Sequence, residues 1–402
     1  MAFYRVQRSL SYLCCLGAAA AGRNAYFVTV AWIVVDASRN PGLLALLLAA
    51  GSAAEILTTN FGGSIADRFD RRLICLICDA LRSAIIAATI FGVAHANPIY
   101  VVALSWVTFC VIDRTHQTSM QAMLPCMIEG GQGLMAFNSI SNIAMQAGNL
   151  LAVLATGAVI VATPQQYGLT VSLLCFALSF LAMAANHHRP ARSLETLGHS
   201  RVRMVDVLPT TLPSGRLMES VAVYALIYAM GMLANVLAAA LAIQQLDGTA
   251  LQFSYLEAGW AAGSVGGCVL LIFFAPRRRL TLPLLLSGFV LLSFFMVQDL
   301  TASIVQMTIL GITYNVARIV IDVQAQKAVG SDKLGRARSQ IQTLCTCAGL
   351  VVYGLVALIG STLQPSIVFG SFGIVMMAAA ILTIYRNSLR RAVATWRPRP
   401  SR

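Results

Sequence analysis

The stretch 61-FGGSIADRFDRR-72 sets two aspartates and three arginines into the six residues 67-DRFDRR-72, directly after paired glycines. Long apolar segments flank it in a chain that is 58% hydrophobic. Three explanations compete for so charged a loop in so oily a protein. It is a nucleotide-binding loop, a patch for anionic lipid, or the hinge of a machine inside a membrane.

Composition narrows the field. The chain has 402 residues, only 11% of them charged, and a mean hydropathy of +0.76. A soluble chain of this length needs more charge to cover its surface. Apolar runs recur along the sequence, several near the roughly 20 residues that span a bilayer as helix. Lipid offers no partner to backbone N–H and C=O groups, so spans are helices or a closed barrel. The runs are continuous rather than alternating, which selects helices. The expected class is an all-α, polytopic membrane protein.

Two features imitate something else. Arg5 and Arg8 followed by Leu10–Ala21 resemble a secretory signal. Hydrophobicity resumes after 22-GRN-24 and continues through 25-AYFVTVAWIVVD-36, so the segment reads as a first transmembrane helix interrupted near its middle by Arg23. Among the ten cysteines, Cys75-x-x-Cys78 matches half of a redox or zinc motif, without a second pair at metal spacing. Packing explains it, and neither a metal nor structural disulfides are expected.

Twelve spans are expected, near 9–36, 42–63, 73–94, 98–121, 135–161, 166–186, 219–244, 252–275, 281–298, 301–326, 337–360 and 365–386. One long polar segment, beginning 187-HHRPARSLETLGH-199, divides them six and six. The expected organisation is an N-terminal bundle over 1–186, a cytoplasmic linker over 187–218, a C-terminal bundle over 219–386 and a basic cytoplasmic tail over 387–402. Of the 28 lysines and arginines, 23 fall in loops and ends on one side of this layout, and only Arg39 on the other. The positive-inside rule makes the arginine-rich side cytoplasmic, with both termini on it, in a cell inner membrane. Topology thus explains a net charge of +13 without nucleic acid.

The halves look like copies. A shift of 208 residues lays 51-GSAAEILTTNFGGSIADRFDRR-72 on 259-GWAAGSVGGCVLLIFFAPRRRL-280, matching Gly51 to Gly259 and Arg71 to Arg279. A shift of 204 lays Arg114 on Arg318. Two repeated halves are the plan of many secondary transporters.

The spacing Gly63, Asp67, Arg68, Arg71, Arg72 between spans two and three resembles the signature loop of the major facilitator superfamily. The extended form 62-GGSIADRFDRRLICLICDALRSA-84, with Asp79 and Arg82, is similar to the branch holding the enterobactin exporter and macrolide-efflux proteins. The resemblance implies alternating access between two six-helix bundles, with the loop as a cytoplasmic latch. It departs in the second copy, where Ala275 stands at the Asp67 equivalent. Residue chemistry agrees: Gly62 and Gly63 permit close helix approach, and Asp67 can pair with arginine or cap a neighbouring helix. A plain positive anchor needs no aspartates. The nucleotide reading fails for want of any Gly-x-x-x-x-Gly-Lys-Ser/Thr.

Ionisable groups at span depth cost roughly 2.5–3.5 kcal/mol each on insertion scales, so they face a cavity or find partners. Arg23, beside Asn24 and Tyr26, would attract an anionic group or pair with an acid such as Glu55. Glu55 is a candidate proton carrier. Asp113 and Arg114 in span four mirror Arg318 and Asp322 in span ten as a polar layer serving a gate or substrate. Asn235 and Asn315 are polar and inward-capable. Asp79 and Arg82 pair with each other or with the latch. Glu219 and Glu257 read as boundary residues or further acids. No constellation of an enzyme is present. The expected function is a proton-coupled exporter of a small organic molecule, anionic or chelating, a siderophore before a drug. It would need no cofactor beyond the proton gradient, work as a monomer, and have lipid but no nucleic acid as partner. An importer of a nutrient or metal–siderophore complex on the same fold, or a lipid flippase, stands as the alternative.

Overall fold

The computed structural model describes residues 2–123, 134–185, 215–273, 280–296, 299–328, 334–359 and 362–396; some side chains, those of 59–68 included, lie outside the description. Among the described residues there are twelve α-helices. They are α1 Ala2–Ser38, α2 Pro41–Arg68, α3 Arg71–His95, α4 Pro98–Met123, α5 Leu134–Ala162, α6 Gly168–Ala184, α7 Gly215–Gln244, α8 Ala250–Phe273, α9 Thr281–Ser293, α10 Leu300–Ala328, α11 Leu334–Ile359 and α12 Pro365–Trp396. Within the described residues, ten helices are long and apolar enough to cross a membrane; α9 is apolar but shorter, at 13 residues.

Local chemistry sets several helix starts. Asn40 Oδ1 accepts from the Gly42 N–H at 2.8 Å, and Asn97 Oδ1 from the Ile99 N–H at 3.0 Å. Each precedes a proline at the first helical position, where the missing N–H is no loss. Asp70 caps α3 through the Arg72 N–H at 2.9 Å, and Asp299 caps α10 through the Thr301 N–H at 3.0 Å. Such caps contribute about 1 kcal/mol each. Arg39 and Asp247, just past α1 and α7, both take the left-handed conformation, with φ of 52° and 45°. Glycine usually fills that position.

The packing repeats across the halves. Helix α1 packs on α5 and α6, and α7 on α11 and α12; α2 packs on α4, and α8 on α10; α3 packs on α4 and α6, and α9 on α10 and α12. The halves meet along α5–α8 and α2–α11, the same pair exchanged, with α1 and α2 also touching α7. Gly51 and Gly259, superposed by the 208-residue shift, mark equivalent crossings. A Cβ on Gly51 would strike Trp106 and Cys110 of α4, and one on Gly259 would meet the Ile304 carbonyl of α10 at 2.9 Å. In lipid, where apolar burial gives helices no reason to associate, small residues permit close packing instead.

Some boundaries differ from expectation. Arg23 does not interrupt α1, because its guanidinium finds an acid rather than the backbone. Helix α7 begins at Gly215, inside the expected linker, carried by the buried Leu217 and Val221. Helix α12 runs on to Trp396, so the expected tail begins as helix; 386-RNSLRRAVATW-396 contains neither glycine nor proline. The span expected over 281–298 is helical only to Ser293. Residues 187–214, with His187 and His188, lie outside the described residues.

Candidate functional site

A buried layer of charge ties four helices of the first half. Arg82 of α3 is fully buried. Its Nη1 donates to Asp113 Oδ1 of α4 at 2.5 Å, and its Nη2 pairs with Asp79 one turn back. Its guanidinium lies over the Phe176 ring of α6, 4.2 Å from the centroid. Asp79 Oδ2 accepts from Ser179 of α6 at 2.8 Å. Asp113 Oδ2 accepts from Arg23 Nη1 of α1 at 3.2 Å and from Gln117 Nε2 at 2.7 Å. Two arginines thus balance two aspartates, which is the condition for keeping ions out of water. His116 Nε2 stands 3.6 Å from Asp79 Oδ1. Donor atoms of Cys15, Asp79 and His116 lie within 4.8 Å of one another. Both oxygens of Asp79 already have partners, Arg82 and Ser179, so the cluster reads as part of the ion-pair layer.

One edge of this layer reaches the seam between the halves. The Arg23 side chain is 32% exposed. Glu55 of α2 lies within electrostatic reach of Asp113, Arg114 and Arg23 on its own side, and of Tyr228 of α7 and Tyr353 of α11 on the other. The facing layer is phenolic. Arg318 of α10 sits among Tyr224, Tyr314, Asp322 and Tyr228. The Trp260 and Tyr314 rings lie 5.4 Å apart, and Gln342 donates to the Tyr228 hydroxyl at 3.1 Å. Planar guanidinium donors suit carboxylate or phenolate groups, and aromatic faces suit rings.

Several expected site residues fall elsewhere. Arg23 pairs with Asp113, because α1 and α4 bring those two into register. Tyr26 is fully buried within the first half, its hydroxyl bonded to Ser105 and its ring 4.3 Å from that of Phe109. Asn315 is also buried, donating to the Ser264 carbonyl at 2.7 Å and to Cys268 Sγ at 2.8 Å, and so joins α10 to α8. Neither lines the seam. Asn24 and Asn235 are half-buried, and Asn235 lies at the Tyr353 hydroxyl. Asp79 and Arg82 pair with each other and with Asp113, inside the first half.

The loop residues divide. The backbone of Gly63, Asp67 and Arg68 is helical, and their side chains lie outside the description. Arg72 donates through Nε to the Met183 carbonyl at 3.2 Å and through Nη2 to the Ala184 carbonyl at 2.6 Å, capping the end of α6. Asp70 caps α3 and Arg71 is half-buried. The contacts of Asp70 and Arg72 stay within the first half.

Described ties between the halves gather at the opposite, arginine-poor end. Gln244 Nε2 of α7 donates to the Arg39 carbonyl at 2.9 Å. A Cβ on Gly42 of α2 would meet the Ala357 carbonyl of α11 at 2.9 Å. Trp32 of α1 stacks on Phe253 of α8 with centroids 6.3 Å apart, and Ser254 of α8 lies against Gly157 of α5. At the arginine-rich end, Glu219 and Arg386 pair at 2.8 Å within the second half.

Glu257 escaped recognition as a site residue. Left open between a boundary residue and a further acid, it is buried two turns inside α8. The available signal was that it is the one charged residue in an otherwise uncharged span.

Residues 12–353 match the family described as Major Facilitator Superfamily. No curated protein matches the chain. Among solved structures, a variant of the nucleoside transporter NupG is similar at 12% identity, covering 93% of this chain and 99% of that one, with a TM-score of 0.72. A variant of the peptide transporter POT in complex with sulfate is 12% identical over 94% of this chain and 93% of that one, with a TM-score of 0.74. A bacterial homolog of the human lysosomal transporter Spinster, inward-facing and occupied, is 14% identical over 100% and 99%, with a TM-score of 0.64. At these identities the likeness is one of fold.

Proposed function

The chain belongs to the major facilitator superfamily, and from that premise we propose that it is a proton-coupled exporter of a small anionic or chelating organic molecule, a siderophore before a drug. It is a multi-pass membrane transporter and not an enzyme. The observation that carries the finer reading is the position of Glu55. It stands at the seam with Arg23, Asp113 and Arg114 on one side and Tyr228 and Tyr353 on the other. A carboxylate that is shared by two halves and changes neighbours as they rock can exchange a proton. The half-exposed Arg23 and the Arg318–tyrosine layer offer an anionic, ring-bearing cargo complementary groups on both sides. Alternating access supplies the motion, and the arginine-rich face is cytoplasmic, in the inner membrane. Export as the direction rests on the resemblance of 62-GGSIADRFDRRLICLICDALRSA-84 to its branch.

A strain lacking the protein tests this reading. Accumulation of a secreted chelator inside the cells, reversed by the wild-type chain, is the expected result. Normal secretion together with lost uptake of the loaded chelator would identify an importer. Unchanged chelator traffic with altered lysophospholipid recovery would identify a flippase.

A further inference from the structure

Glu257 has no place in the charged layer just described. It is 8% exposed, and among the described residues it makes no hydrogen bond or ion pair. It is the only charged residue of α8. The surrounding helices offer no countercharge: α5 has no charged residue, α7 has none over 220–244, α10 none over 300–317, and α1 none between Arg23 and Asp36. An ionised carboxylate removed from water and left without a partner is costly, and binding a proton removes that charge.

Its position gives the isolation a purpose. Phe253, Ser254 and Glu257 are spaced by four and three residues, so they share one face of α8. Phe253 stacks on Trp32 of α1, and Ser254 lies against Gly157 of α5. The other edge of the helix, Gly259 and Gly263, meets α10. Glu257 therefore faces the seam between the halves, one turn inside the closed arginine-poor end. The Ser254 hydroxyl on the same face is fully buried and also lacks a partner. A fully buried hydroxyl and a carboxyl that is nine-tenths buried, both without partners on one face, mark a place that water reaches more freely in another state of the molecule.

We infer that Glu257 is a proton-binding site of the second half. It takes up a proton when the arginine-poor end opens and carries it while that end is shut. This rests on the proton-coupled reading and adds a carrier distinct from Glu55. Rocking that parts Phe253 from Trp32 and Ser254 from Gly157 brings water to Glu257. Closure removes the water, and the site shuts only with the proton bound.

Two readouts on the full chain in proteoliposomes test the inference. Dicyclohexylcarbodiimide modifies protonated carboxyl groups in apolar surroundings. Mass spectrometry is expected to find it on Glu257 at neutral pH and much less at alkaline pH, while Glu219, partly exposed and paired with Arg386, stays unmodified. Absence of the adduct on Glu257 at both pH values, or an adduct indifferent to pH, would overturn the inference. The second readout uses enterobactin as probe. E257Q is expected to keep exchange between equal pools and to lose about tenfold of the accumulation driven by a pH gradient, with E257D restoring it. Wild-type accumulation by E257Q would overturn the inference. A wild-type chain that exchanges enterobactin but ignores the gradient would remove proton coupling itself, and the inference with it. Failure of the wild type to move enterobactin at all would sink only the cargo reading, and the carbodiimide result, which needs no cargo, then decides alone.

Discussion

Gln244 of α7 donates to the backbone carbonyl of Arg39 at 2.9 Å, joining the two halves at the arginine-poor end. One such bond contributes about 0.5–1.5 kcal/mol net. Gln244→Ala should therefore raise the population open at that end by roughly two- to tenfold. The check is the maleimide labelling rate of a Phe253→Cys variant, whose position is buried behind the tie. Labelling no faster with Gln244→Ala would remove this contact from the gate.

Arg82 is the single cation shared by Asp79 and Asp113. Arg82→Gln leaves one buried carboxylate without its partner and should cost about 3–5 kcal/mol. Thermal unfolding in detergent is expected to fall sharply. The triple variant Asp79→Asn, Arg82→Gln, Asp113→Asn should recover much of the loss, because it removes the charges together. Unfolding of Arg82→Gln at the wild-type temperature would contradict the ion-layer account.

The loop separates stability from turnover. Arg72→Ala frees two carbonyls at the end of α6 and should lower stability by about 1–3 kcal/mol, with transport per folded molecule little changed. Asp67→Asn should cripple turnover while leaving membrane insertion intact. Wild-type turnover in Asp67→Asn would reduce the loop to an anchor.

Arg23 and Asn315, alike in sequence as polar residues within spans, should behave oppositely. Arg23→Gln should raise KM for an anionic cargo about tenfold and lower the unfolding temperature less than Arg82→Gln does, since Asp113 keeps Arg82 and Gln117. Asn315→Leu should lower the unfolding temperature by detaching α10 from Ser264 and Cys268, with KM unchanged.

The architecture was legible because lipid leaves few options: long apolar runs become helices, and arginine placement sorts the ends. The Gly51–Gly259 match was readable for the same reason, since close crossings need small residues at equivalent places. Partners across helices were not. Arg23 meets Asp113 because of how α1 and α4 sit in register, 90 residues apart in sequence. Tyr26 and Asn315 show that a polar group in a span satisfies itself inward as readily as it faces a cavity. Glu257 stayed open between a boundary residue and a further acid because burial depends on which face of α8 meets α1 and α5, a relation that spacing along one helix does not reveal.

The central claim is that the halves rock, so that opening one end closes the other. Spin-label distances across both ends test it most directly, with one pair at Ala37→Cys and Gln364→Cys and the other at Phe69→Cys and Leu389→Cys, all at exposed positions. Two populations are expected for each pair, and a change of pH or added cargo that lengthens one distance should shorten the other. Single distances that ignore both, or pairs that lengthen together, would contradict alternating access in this protein.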